Sequence, residues 1–413
     1  MINKLTKKFN LNQILLTGLV LRLIAIFFLA DEKLTNEWAI IIHNYEISGI
    51  FGFHVAISDF FATPKFSEPG EKVLPTVFMP PLYFYFLSAV KFLTFGQINF
   101  VKAVLYFQLL FGLSSIIIFY KIVKCLENKS LAILATSVFG FFPLNIYAVS
   151  QISSITIQIL LILSFIFFLI KFIEKKNYNY FIFFSIISGL LILTRGEFFI
   201  FYLLTLIYFF IFLKKKFKYF FISIIITIIT IGPYIYKNYY LFNTFVITKS
   251  FGYNLLKGNN PNLKIEGDPN FIEQVYNKNN QKIKTNNNYE IELDNFYRDK
   301  SLDIILENPK KYILFYFKKL FAFKFFDLNS SYPNYYNLFH LIPKIIISIL
   351  ALLGSFIIFK KKGIYQYLFL YYYTNILLFS VFFILPRYSL ILLPVQILVC
   401  VPFFKFTLRK FFN

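Results

Sequence analysis

Apolar residues in this chain come in long runs cut by short polar clusters. Runs long enough to cross a bilayer as helices fall at about 12–30, 98–120, 131–149, 152–170, 178–194, 197–213, 217–236, 341–359, 364–385 and 388–404. At the helical rise, roughly 20 residues cover the ~30 Å hydrocarbon core. Two shorter apolar pieces, 81–96 and 311–326, need other readings. The first lies in the interface or re-enters. The second carries Lys318, Lys319 and Lys324, which predicts an interfacial amphipathic helix. The expected fold is therefore an all-α polytopic membrane protein with about 10 (10–12) transmembrane helices.

The basic residues give this list a direction. With the N-terminal lysines in the cytoplasm, Lys121–Lys129, Lys171–Lys176, Lys214–Lys218, Lys360–Lys362 and Lys405–Lys410 all fall inside. Two large loops, roughly 31–97 and 238–338, then lie outside. The chain divides into an N-terminal membrane module (1–237, with the first outer loop at 31–97), an extracytoplasmic loop (238–338) and C-terminal transmembrane helices (339–413). Within the second loop, Asn277–Asn288 reads as exposed and mobile. No internal repeat of the inverted-transporter kind is found.

Composition sharpens the picture. The 413 residues are 58% hydrophobic and 22% aromatic, more than a soluble domain can bury. The net charge of +22 would suit nucleic acid, but its clusters follow membrane topology instead, so no nucleic-acid partner is expected. Cys125 and Cys400 are far apart and imply neither disulfide nor metal, and His43, His54 and His340 lack metal-ligand spacing. Residues 1–30 resemble a signal peptide without a small-x-small cleavage site and are read as an uncleaved first helix. The skew to Lys, Asn, Ile, Phe and Tyr makes lysine the default cation. Arginine occurs five times, at 22, 195, 298, 387 and 409. In such a background an arginine marks a place for a planar fork of donors.

Candidate chemistry gathers on the outer side. Asp31 and Glu32 stand where the first span leaves the lipid, and Glu37 sits beside Trp38, the single tryptophan. Trp38, Ile41, Ile42 and Tyr45 share one face of an interfacial helix ended by Gly49. A carboxylate at that depth is partly desolvated, which suits a general base towards a hydroxyl; a solvated helix flank is the plainer alternative. Arg195 and Arg387 each follow a span on the outer side, against the positive-inside tendency, and Lys237 makes a third outer cation. Cations at headgroup depth suit a phosphate ester.

The order of these features resembles the GT-C glycosyltransferases that use polyprenyl-phosphate sugars, in particular the protein O-mannosyltransferase and aminoarabinose transferase group. Asp31-Glu32 with Glu37-Trp38 and Gly49 looks like the acidic motif of the first outer loop. Phe78-Met79-Pro80-Pro81-Leu82-Tyr83 looks like the motif that closes that loop. Pro143 and Ser150–Ser154 resemble the outer turn between the third and fourth spans, Leu193-Thr194-Arg195 the segment after the fifth, and Pro233 to Asn238 the end of the seventh. GYNLLKGNNP (252–261) resembles the start of the next loop, and Pro386-Arg387-Tyr388 a late arginine motif. The resemblance covers most of residues 12–261. It departs at Leu34, four before Trp38, where relatives carry an acid. The base is then Asp31, preferred for its place at the span end, or Glu37.

The resemblance implies a GT-C-type helical bundle in a bacterial cytoplasmic (inner) membrane, with its active site on the extracytoplasmic face. It implies an inverting transfer of a sugar from polyprenyl phosphate to a glycan, lipid or protein acceptor. Asp31 or Glu37 would act as base, Arg195, Lys237 and Arg387 would hold the donor phosphate, and Glu32, Trp38, Pro80, Pro81, Tyr83, Asn238 and Tyr388 would shape the substrate loops. A divalent cation has a place in this scheme, although no ligand cluster in the sequence demands a metal or other cofactor. The alternatives are a flippase or transporter of lipid-linked glycans, which calls for ionisable residues inside spans, and a glycan polymerase. Arg22 is the clearest ionisable residue in a span.

Overall fold

The computed structural model describes residues 10–30, 54–56, 73–94, 100–213, 218–279, 286–327, 329–330, 337–359 and 361–412. In chain order the elements are α1 (Leu11–Leu29), β1 (His54–Ala56), β2 (Val73–Pro75), α2 (Pro81–Leu93), α3 (Phe100–Leu126), α4 (Lys129–Gly140), α5 (Pro143–Tyr147), α6 (Ile155–Lys175), α7 (Tyr178–Thr194), α8 (Phe198–Leu213) and α9 (Lys218–Phe242). There follow α10 (Phe251–Gly258), α11 (Pro269–Asn279), α12 (Tyr289–Glu307), α13 (Pro309–Lys324), α14 (Leu338–Ile358), α15 (Ile364–Phe379), α16 (Pro386–Ile391) and α17 (Leu393–Phe412). β1 and β2 form one antiparallel ladder pairing Val55 with Leu74 inside the first large loop; the rest is helical, as the pattern predicts.

A helix occupies every run that the hydropathy marks. α1, α3, α6, α9 and α14 are each long and apolar enough to cross a membrane, and α4 with α5 makes a bent sixth candidate. The composition supplies the helix ends. Asn10, Asn128, Asn177 and Asn337 accept backbone N–H bonds at the starts of α1, α4, α7 and α14, each satisfying an orphan donor. Pro81, Pro143, Pro309 and Pro386 occupy the first helical position, where no N–H is missed. On α1, Leu16, Val20, Ile24 and Phe27 form an exposed apolar stripe, while Ile14, Gly18, Arg22 and Ala25 face inward. Only lipid makes such a stripe tolerable.

Two runs differ in detail from expectation. The 131–149 run breaks after Gly140 and bends by 59° at Pro143. The 364–385 run stops as helix at Phe379, and Pro386 restarts the chain as α16. The break in the first leaves the Gly140 carbonyl without a helical partner, and Arg22 Nη1 donates to it at 3.0 Å and to the Gly18 carbonyl at 3.2 Å. Arg22 is fully buried.

The second large loop has a core of its own. Its helices build a small core of Leu256, Ile272, Val275, Tyr289, Leu293 and Tyr297. The helical spacing of 289, 293 and 297 was hidden by the surrounding asparagines and lysines. α11 runs to Asn279, so the expected mobile stretch begins as helix; 280–285 lies outside the described residues. At one end of the bundle Glu127 accepts from Tyr365 (2.8 Å) and pairs with Lys405 (2.6 Å). The second loop packs at the other end.

Candidate active site

A cavity of about 780 Å³ opens where the ends of α2, α6, α7 and α16 meet the second loop. Phe78, Met79, Pro80 and Tyr83 supply one part of its wall, and Ile152, Ser153, Ser154, Ile155 and Gln158 another. Arg195 and Glu197 follow α7, Thr248 follows α9, Tyr253, Asn254 and Lys257 stand on α10, and Phe382, Phe383, Arg387 and Tyr388 close the circuit.

The cations stand on a row of aromatic rings. Arg195 caps α7 in extended backbone, turning its side chain out of the helix. Its guanidinium lies 4.8 Å from the Phe379 ring and 4.7 Å from the Tyr388 ring, and those rings stack at 6.3 Å. Arg387, fixed by Pro386 at the start of α16, lies 5.8 Å from Tyr388 on the same row. Phe383 extends the row, 5.7 Å from Tyr388, and carries Lys257 Nζ at 4.7 Å. Ring faces hold cations without neutralising them. Among the described lining residues the one carboxylate is Glu197, 3.4 Å from Arg195 Nη2. Among the described lining residues three cations thus stand beside one acid.

A buried amide shapes the neutral part. Gln108 accepts from Tyr83 OH at 2.9 Å and from the Ser153 N–H at 3.3 Å. Its own Nε2 donates to the carbonyls of Val149 (3.1 Å) and Gln151 (2.8 Å). One side chain thus fixes the 149–153 turn against the start of α2. Gln151 in turn donates to the Leu29 carbonyl at 3.1 Å. The last described residue of the first span, Ala30, therefore ends beside a turn that lines the cavity.

The second loop is fastened to the first by a buried acid. Glu290, 7% exposed, accepts from Thr76 Oγ1 (2.9 Å) and the Val77 N–H (2.8 Å). Burial pushes its carboxyl up to about 7 despite these bonds. Asp294 accepts from the Tyr253 N–H at 3.0 Å, and burial raises it too. The Lys249 N–H donates to the Val77 carbonyl at 2.8 Å. Gly252 is required here, because a Cβ would overlap the Asp294 carbonyl oxygen.

Of the residues marked in the sequence, the structure brings Pro80, Tyr83, Arg195, Arg387 and Tyr388 to one cavity. Pro81 starts α2 just behind them. Asn238 lies outside the wall but holds it: its Nδ2 donates to the Val246 carbonyl at 2.8 Å, fixing the lining segment 245–248. Lys237, its neighbour on α9, does not line the cavity. Asp31, Glu32, Glu37 and Trp38 lie outside the described residues. Lys257 and Gln108 carried no signal in the sequence, one being a lysine among many and the other a lone amide in an apolar run. No group of three His, Cys, Asp or Glu among the described residues has the geometry to hold a metal ion. Glu197, already beside Arg195, is not a metal site by itself.

Residues 79–236 match the family of dolichyl-phosphate-mannose-protein mannosyltransferases. No curated protein matches the chain by sequence. The oligosaccharyltransferase of Archaeoglobus fulgidus, solved with zinc and sulfate, superposes with a TM-score of 0.56 at 13% identity over 96% of this chain and 49% of its own. The same enzyme tethered to an acceptor peptide superposes with a TM-score of 0.56 at 13% identity over 98% and 50%. The chain thus spans about half the length of that enzyme while sharing its fold. The family match and the shared fold both agree with the order of motifs read from the sequence.

Proposed function

We propose that this membrane chain transfers a sugar from a polyprenyl-phosphate-linked donor to a glycan, lipid or protein acceptor on the extracytoplasmic face of a bacterial inner membrane. The observation that carries the reading is the pair Arg195 and Arg387, both over the Tyr388 ring and both lining one cavity. A lipid phosphate that leaves with its charge needs donors already in place, and two guanidinium forks backed by rings supply them. Lys257 adds a third positive charge on the same row.

The reaction is an inverting displacement. The acceptor oxygen or nitrogen attacks the anomeric carbon, its proton passes to a carboxylate, and the bond from that carbon to the phosphate oxygen breaks. Asp31 is our assignment for the base, with Glu37 as the second choice. The support is the bond from Gln151 to the Leu29 carbonyl, which brings the end of α1 beside the cavity turn. The lysine clusters favour the outer face for this end of the bundle. No step is routed through a metal, because the described lining residues supply no ligand set. Against transport, Arg22 is bonded to helix carbonyls and does not line the cavity.

Donor turnover tests the reading. Protein purified in detergent is given a panel of polyprenyl-phosphate sugars and a membrane extract as acceptor source. Wild type releases polyprenyl phosphate, and Asp31→Asn loses that release at equal expression. Release by neither protein would move the assignment to a flippase.

A further inference from the structure

We propose that Gln158 and Ser153 form a subsite for hydroxyl groups of the donor's sugar, separate from the aromatic-backed cations that would take the phosphate. The inference rests on the transferase reading for the identity of the ligand, but its evidence is independent of the cations.

Both residues line the cavity. Gln158 is 2% exposed, and its Oε1 has no hydrogen-bond partner among the described residues; Ser153 Oγ is likewise buried and without one. Buried polar atoms in folded proteins are almost always paired, so two orphans on one cavity wall point to a ligand that pairs them. Neither group is loose. Gln158 Nε2 donates to Ser154 Oγ at 2.8 Å, which fixes the amide plane. The Ser153 N–H donates to Gln108, which anchors the turn from behind. Held this way, the orphans meet a ligand without first paying rotamer entropy.

The chemistry selects a hydroxyl. An amide turned either way leaves one polar atom over, an acceptor or a donor, and a serine Oγ is both. A hydroxyl complements every one of these arrangements. An anion complements only some, and the cations it would prefer stand along the Phe379–Tyr388–Phe383 row. Nor is the stretch around Gln158 purely apolar: Ser153 and Ser154 line the cavity with it. The sugar of the donor therefore lies over the start of α6, with its phosphate towards Tyr388.

The test compares binding of farnesyl phosphate with that of farnesyl-phosphate mannose, farnesyl-phosphate glucose and their single-deoxy forms. Wild type, Gln158→Leu and Ser153→Ala are measured by calorimetry in detergent. Wild type should prefer at least one fully hydroxylated sugar lipid to its deoxy form by about tenfold or more. Gln158→Leu should erase that preference and weaken the sugar lipids, while sugar-free farnesyl phosphate binds as before. Ser153→Ala, a smaller change, should erase the preference for one hydroxyl only. Equal weakening of farnesyl phosphate and the sugar lipids, or a deoxy preference untouched by both variants, would overturn the subsite and leave ordered water as the partner. If wild type transfers sugar while the preference ignores both variants, the subsite fails and the transferase stands. If the preference runs through Gln158 but polyprenyl phosphate is never released, the subsite stands and the transferase fails.

Discussion

The helix bundle and the second large loop hold their charges in different ways. On the bundle side, Arg195 and Arg387 rest on ring faces and line the cavity. On the loop side, Glu290 and Asp294 are buried, and their oxygens are occupied by Thr76, Val77 and Tyr253. The bundle's ions line a cavity; the loop's acids hold the chain in place. An ionisable residue near a cavity is therefore not evidence of chemistry until its partners are known.

The largest expected effect strikes the bundle side. Arg195→Ala should lower donor turnover by about 100-fold to 1000-fold, the usual range for a lost charge-stabilising donor. Arg195→Lys should restore little, because a compact ammonium lacks the planar, delocalised fork that suits the Phe379 and Tyr388 rings and a phosphate together. Full rescue by lysine, measured as polyprenyl phosphate released at matched protein, would erase the distinction drawn above.

The next effect belongs to the loop side and concerns stability. Gly252→Ala forces α10 away from the Asp294 carbonyl, at a cost of about 3 kcal/mol by analogy with overpacked cores. Thermal unfolding in detergent should show it, with the loss concentrated in the loop's proteolysis rate. An unchanged rate would mean that the loop is held from elsewhere.

Glu290→Gln separates the sides by pH. The folded carboxyl sits at about 7, above its ordinary value near 4.5. Its protonated form is therefore favoured by folding. The contribution is complete below about pH 4.5 and is lost as pH rises through 7. Glutamine, always neutral, should flatten that window and stabilise the protein by roughly 3 kcal/mol at pH 8. Melting curves between pH 5 and 8 decide it; a parallel slope in wild type and variant would remove Glu290 as the titrating group. The smallest effect is Asn238→Ala, which loses one bond to Val246. About 1 kcal/mol of stability is expected, read from the same melts, with a modest rise in donor KM as the 245–248 segment loosens.

The division between the bundle and the loop also explains what could be read from sequence. Arg195 and Arg387 stood out because they break a topological tendency and are rare cations in a lysine-rich chain. Pro80, Tyr83 and Tyr388 stood out by their place beside spans. Lys257 did not, since one lysine among many carries no contrast. Gln108 did not, because its importance lies in four bonds to distant backbone and side-chain groups. The bundle was legible because lipid demands long apolar runs. The second loop was not, because its core residues repeat at helical spacing through a background of Asn and Lys that masks them. The bend at Pro143 shows a further limit: a proline announces a helix start, but the 59° angle depends on what packs against the break.

That break binds the order of membrane insertion to the finished structure. Arg22 would cost α1 about 2.5–3.5 kcal/mol in lipid, and the carbonyl that receives it belongs to Gly140, 118 residues further on. At roughly 10 residues per second, on the order of ten seconds of synthesis separate the two. During that interval the first helix is ill suited to drift into the bilayer alone. Its arginine gains its second carbonyl only when α4 is in place, so the first span is completed by a helix made long after it.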